Sequence, residues 1–136
     1  MIYSYLTTSI TESYKNDLSE LTNIANDIIP KASNKTIIFC EIEKTSYEIF
    51  YYSFYSNGKI KHSSEIIDND EIDSTVVDKV FNDIAKYIRK SEEFDPTKRN
   101  VITITINGKN STIDVKQYDK SVGLYKIKKD WKNANI

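Results

Sequence analysis

The sequence predicts an α+β fold: an antiparallel sheet, made of a meander plus a C-terminal hairpin, with two helices on one face and a short C-terminal helix. Three observations predict it. The stretch TIIFCEIEKTSYEIFYYSFYSNGKIKHSS (36–64) divides into three runs rich in β-branched and aromatic residues, separated by turn residues. VITITI and STIDV alternate apolar with polar positions on either side of Asn107-Gly108. Two further segments, 14–29 and 76–88, space their apolar residues at three and four, the helical period.

The elements follow the order α-β-β-β-α-β-β-α, behind an ambiguous apolar arm at residues 1–8. Ser9-Ile10-Thr11-Glu12 has the spacing of a capping box, in which side chains at both ends satisfy free N–H groups at a helix start. Tyr14, Leu18, Leu21, Ile24, Ala25, Ile28 and Ile29 then form one apolar stripe. Pro30 ends it, because a residue before proline avoids the helical region.

In the meander, a connection at 43–46 places Ile42 opposite Tyr47, Cys40 opposite Ile49 and Ile38 opposite Tyr51 on a core face. The same register sets Phe39 against Phe50, Ile37 against Tyr52, and Glu41 against Glu48 on the second face. Two carboxylates directly opposite are unfavourable unless water or a cation intervenes. A tight Asn57-Gly58 turn would bring Lys61 beside Phe54 and His62 opposite Ser53. Residues 65–73 read as an acidic connector into a helix capped by Asp73 or Ser74, with Val76, Val77, Val80, Phe81, Ile84 and Ile88 as its apolar stripe. A polar loop at 91–99 precedes the second hairpin. There Ile102, Ile104, Ile106, Ile113 and Val115 face one way, and Thr103, Thr105, Asn110 and Thr112 the other. Leu124, Ile127 and Trp131 outline the closing helix.

A length of 136 residues fits one domain, 1–136, with a core of its own. Nineteen basic against twenty acidic side chains leave no global field toward nucleic acid or a membrane, so a charged partner must meet a local patch. The single cysteine excludes an internal disulfide and suits a reducing compartment, with the cytoplasm as the default. No apolar run approaches a membrane span.

The inventory of reactive groups is thin. His62 is the only histidine and has no partner set for nucleophilic catalysis. One Cys and one His do not make a zinc site. Asp68, Asp70 and Glu71 begin like a calcium loop, but Ile72 takes the next ligand place and Lys79 stands where the closing glutamate belongs. No catalytic, metal or cofactor-binding residue is therefore assigned. Charge, in contrast, is segregated: residues 65–83 hold seven acids and one lysine, and 116–132 hold six lysines and two aspartates. The acidic stretch reads either as a solvated connector or as a docking site for a basic partner.

Ile24-Ala25-Asn26-Asp27-Ile28-Ile29-Pro30, followed by TIIFCEI and YEIFYYSF, resembles the YezG-like immunity proteins of bacterial toxin systems. The similarity runs on through Ser64-Glu65-Ile66-Ile67, the helix at 76–88 and the Pro96 loop, to the basic, aromatic YKIKKDWKNANI. Lys31-Ala32-Ser33 and Thr97 stand where that family often has tryptophan. The resemblance implies a non-enzymatic antitoxin that binds a cognate secreted toxin domain, often a nuclease, with no cofactor and without contacting nucleic acid or membrane. A monomer is the favoured state. On this reading Asp68, Asp70, Glu71 and Asp73 supply charge complementarity, and the second sheet face, with Phe39, Glu41, Glu48, Phe50 and Tyr52, supplies aromatic anchors. Alternatively, Leu124, Ile127 and Trp131 cover that face. The competing class is a small secretion chaperone or adaptor, which would act as a dimer on an unfolded effector segment.

Overall fold

The computed structural model describes residues 5–6, 12–108 and 110–136, with side chains from residue 18 onward. In chain order the elements are β1 (Tyr5–Leu6), α1 (Glu12–Ala25) running into a 3-10 turn (Asn26–Ile28), β2 (Ser33–Ile42), β3 (Tyr47–Tyr55), β4 (Ile60–His62), α2 (Ser63–Asp68), α3 (Ser74–Arg89), β5 (Arg99–Ile106), β6 (Thr112–Tyr118) and α4 (Leu124–Asn135). The class is α+β, as expected. The element order differs by β1, which lies within the presumed arm and pairs with β6, and by α2. The capping box at 9–12 falls largely outside the described residues, as does the Tyr14 side chain.

The strands form one antiparallel sheet in the order β1-β6-β5-β2-β3-β4. The α2–α3 crossover returns the chain to lay β5 along β2, so β2 is central. Every residue from Thr36 to Ile42 is buried, which is why this strand reads as a continuous apolar run: both of its faces are covered.

On the first face, Leu21, Ala25 and Ile28 from α1 and its 3-10 turn meet Val77, Val80, Ile84 and Ile88 of α3. Together they cover Ile38, Cys40, Ile42, Ile49, Tyr51, Ile102, Ile104, Ile113 and Val115 of the sheet. Val76 is exposed, so the α3 stripe is narrower than the sequence suggested. Asp73 caps α3 by accepting from the Thr75 N–H at 2.9 Å. Burial holds the Cys40 thiol well above its ordinary pKa, leaving it a small core residue without thiolate reactivity.

The β2–β3 register agrees at every expected pair. The next hairpin does not. Its connection holds three residues, 56–58: Tyr55 N–H donates to Lys59 at 2.9 Å, and only Gly58 takes a positive φ, at +84°. Asn57 stays out of the left-handed region and accepts the Lys59 N–H at its side chain, 3.0 Å away. The pairing slips by one, so Lys61 faces Ser53 and His62 faces Tyr52. A slip of one moves each side chain to the other face. His62 thereby joins the second face, and Lys61 the first.

Candidate functional site

The second face is where the sequence left two readings open, and α4 lies across it. Ile127 and Trp131, with Val122 ahead of the helix, pack on Ile37, Phe39 and Val101. The indole stands edge-on to Phe39 (5.2 Å between centroids) and Phe50 (5.6 Å), and donates its N–H to the Thr103 hydroxyl at 2.8 Å. Phe39 and Glu41 are 0% and 1% exposed, which withdraws both as anchors for a partner. The physical reason is the stripe of Leu124, Ile127 and Trp131, which needs an apolar surface and finds it there.

Cations from the chain itself lie beside the facing carboxylates Glu41 and Glu48 and offset their repulsion in part. Lys128 of α4 pairs with Glu48. Arg99 bridges Glu43 at 3.1 Å and approaches Glu41 at 3.8 Å, while Lys120 lies 3.9 Å from Glu43. Glu41 Oε2 is buried and has no hydrogen-bond partner among the described residues. Its carboxyl is pushed up to about 7, first by burial and then by a hydrogen bond to, and repulsion from, Glu43; Arg99 offsets part of this. The cluster stitches β2, β3 and β5 to the α4 end of the molecule.

Glu48, Phe50 and Tyr52 emerge beyond the α4 edge. With His62, Tyr125, Lys128, Lys129 and Lys132 they line a groove at the β4 end of the sheet.

On the opposite side of β4 stands the acidic corner between α2 and α3. The sequence reads as a connector here; the structure makes its first part helical. His62 caps α2, its Nδ1 accepting the Ser64 N–H at 3.0 Å while Glu65 accepts the His62 N–H at 3.2 Å, a reciprocal cap with imidazole in the usual hydroxyl's place. The spacing His62-x-x-Glu65 was the available signal. The four acids divide by role. Glu71 accepts from Lys61 at 2.8 Å and from the Tyr55 hydroxyl at 2.9 Å, and Asp73 caps α3. Asp68 and Asp70 are exposed, and no described residue pairs with them. Asp70 adopts φ +57°, so the corner is a defined turn; its side chain type tolerates that conformation.

His62 is therefore committed: capping on one side, stacked on Phe50 at 5.3 Å on the other. Burial, and secondarily Lys132, lowers its pKa, against an opposing pull from Glu65. Among the described residues no group of three or more His, Cys, Asp or Glu is arranged to hold a metal, and no helix is long and apolar enough to cross a membrane. Compared with protein-family models and with curated proteins, the chain finds no match.

Proposed function

We propose that this protein is an immunity protein, an antitoxin that binds a cognate secreted bacterial toxin domain, a nuclease by preference, and neutralises it in the cytoplasm without chemistry of its own. The observation that carries the reading is the α2–α3 corner. Asp68, the last residue of α2, and Asp70, at the positive-φ turn after it, are exposed, and Glu71 and Asp73 tie the corner to Lys61 and to the start of α3. Exposed carboxylates that no described residue pairs with accelerate encounter with a basic protein and select against acidic ones. Glu48, Phe50 and Tyr52 remain as contact residues on the second face; Phe39 and Glu41 do not.

The test is co-expression with toxin domains encoded immediately upstream of the gene. Rescue of growth together with a stable complex of folded partners is the expected result. Absence of toxicity in every neighbouring product, or of rescue, removes the proposal. A dimer that captures only unfolded segments of an effector would move the protein to the chaperone class.

A further inference from the structure

The groove at the β4 end of the second face has a composition unlike the rest of the surface. Helix α4 carries two adjacent stripes at helical spacing. Leu124, Ile127 and Trp131 turn toward the sheet, while Tyr125, Lys128, Lys129 and Lys132 form one wall of the groove. The floor is Phe50, Tyr52 and His62. Three lysines face a single carboxylate, Glu48, and Lys128 already pairs with it. Lys129 and Lys132 are exposed and make no ion pair with a described residue; Lys132 Nζ hangs 5.8 Å over the Tyr52 ring. Tyr125 is 78% exposed, the barest large apolar side chain among the described residues, and it sits on the rim.

We propose that this groove docks an acidic segment of a protein partner, whose carboxylates meet Lys129 and Lys132 while one of its apolar side chains lies against Tyr125 and the edges of Phe50 and Tyr52. Charge complementarity sets the sign of the occupant, because the groove has cations to spare and its one acid is used. Ring geometry favours peptide over a run of stacked bases, because Tyr125 is the one well-exposed ring of the groove. A base needs a free aromatic face. Phe50 has neither face free, being stacked between Phe39 at 4.7 Å and His62 at 5.3 Å, and Tyr52 is contacted by Trp131 and Lys132 of α4 and edge-on by His62. Addition of a strand to the β4 edge is impeded because the His62 N–H is held by the Glu65 carboxylate. Side-chain recognition across the groove remains. This inference does not require the partner to be a toxin, so it stands or falls separately from the antitoxin reading.

The experiment is selection of a random dodecapeptide display library on the immobilised full chain, followed by fluorescence anisotropy with the resynthesised peptides. Enriched peptides should combine several Asp or Glu with an aromatic or branched apolar residue. Their affinity should fall at least about tenfold in Lys129→Glu/Lys132→Glu and stay within roughly twofold in Lys79→Glu, a surface change on α3, and it should weaken as salt is raised. Circular dichroism confirms that both variants are folded. Failure to enrich, enrichment of neutral or basic peptides, equal binding by the double variant, or tighter binding of a thymidine dodecanucleotide overturns the proposal.

Discussion

Glu41 is a carboxylic acid buried where its charge is poorly accommodated. Its side chain lies on β2 beneath the Arg99 guanidinium, opposite Glu48 and beside Glu43. The carboxyl moves from an ordinary value near 4.5 to about 7, so the folded chain holds this proton more tightly than the unfolded one. Folding then takes up a proton between those limits; stability declines as pH rises through the window, and the penalty is complete above it. Glu41→Gln keeps the shape and removes the ionisation. In urea unfolding the variant should match the parent near pH ~4, below the window, and exceed it at pH ~8 by on the order of 2 to 3 kcal/mol, since each tenfold change in proton affinity is worth about 1.4 kcal/mol. Parallel profiles for the two proteins would mean that Arg99 neutralises the site fully. The sequence pointed to only part of this. Glu41 and Glu48 were legible as a facing pair, but the cations that accommodate them come from β5 and α4, far along the chain.

At the level of elements, the loop between α3 and β5 depends on one buried amide. Asn100 donates to the carbonyls of Ile42 at 3.0 Å, Asp95 at 2.8 Å and Lys98 at 3.2 Å, and accepts from the Asp95 N–H at 2.9 Å and from Gln117 at 3.2 Å. Asn100→Ala leaves several of these groups buried and unpaired, an expected loss of about 2 to 4 kcal/mol. Amide exchange should accelerate selectively at Asp95, Thr97 and Lys98; a uniform change would show that the Asn100 amide serves the whole core instead. Such ties explain what the sequence could and could not convey. The stripes of α1, α3 and α4 and the β2–β3 register were readable because period and turn length agreed. Both Asn-Gly turns were longer than their dipeptide suggests. In the second hairpin, Thr105 pairs with Thr112, two places from where a two-residue turn would put it, and an even shift keeps every side chain on its face. In the meander the shift is odd, and His62 and Lys61 exchanged faces. That odd shift, together with α2, puts His62 on the floor of the groove and forms the Lys61–Glu71 tie that shapes the acidic corner.

The whole molecule is nearly neutral but not uniform. Asp68 and Asp70 project from the helical side of β4, while Lys129 and Lys132 line the groove on the other. A partner gripping the β4 end meets both signs, so orientation as well as encounter is governed by charge. On the antitoxin function proposed above, Asp68→Lys/Asp70→Lys should slow association with the toxin about tenfold in stopped-flow mixing at low salt, the difference shrinking as ionic strength reaches ~0.3 M. An unchanged on-rate would place the toxin elsewhere on the surface. Glu71→Lys is the wrong variant for this purpose, because it opposes Lys61 and disturbs the turn itself. Trp131, finally, is the only tryptophan among ten tyrosines, and its indole is 7% exposed between α4 and the sheet. The molecule thus carries a built-in optical probe: tyrosine excitation drains into one emitter whose colour tracks whether water has reached the seam beneath the last helix, and any loosening there can be followed by light alone, without a label.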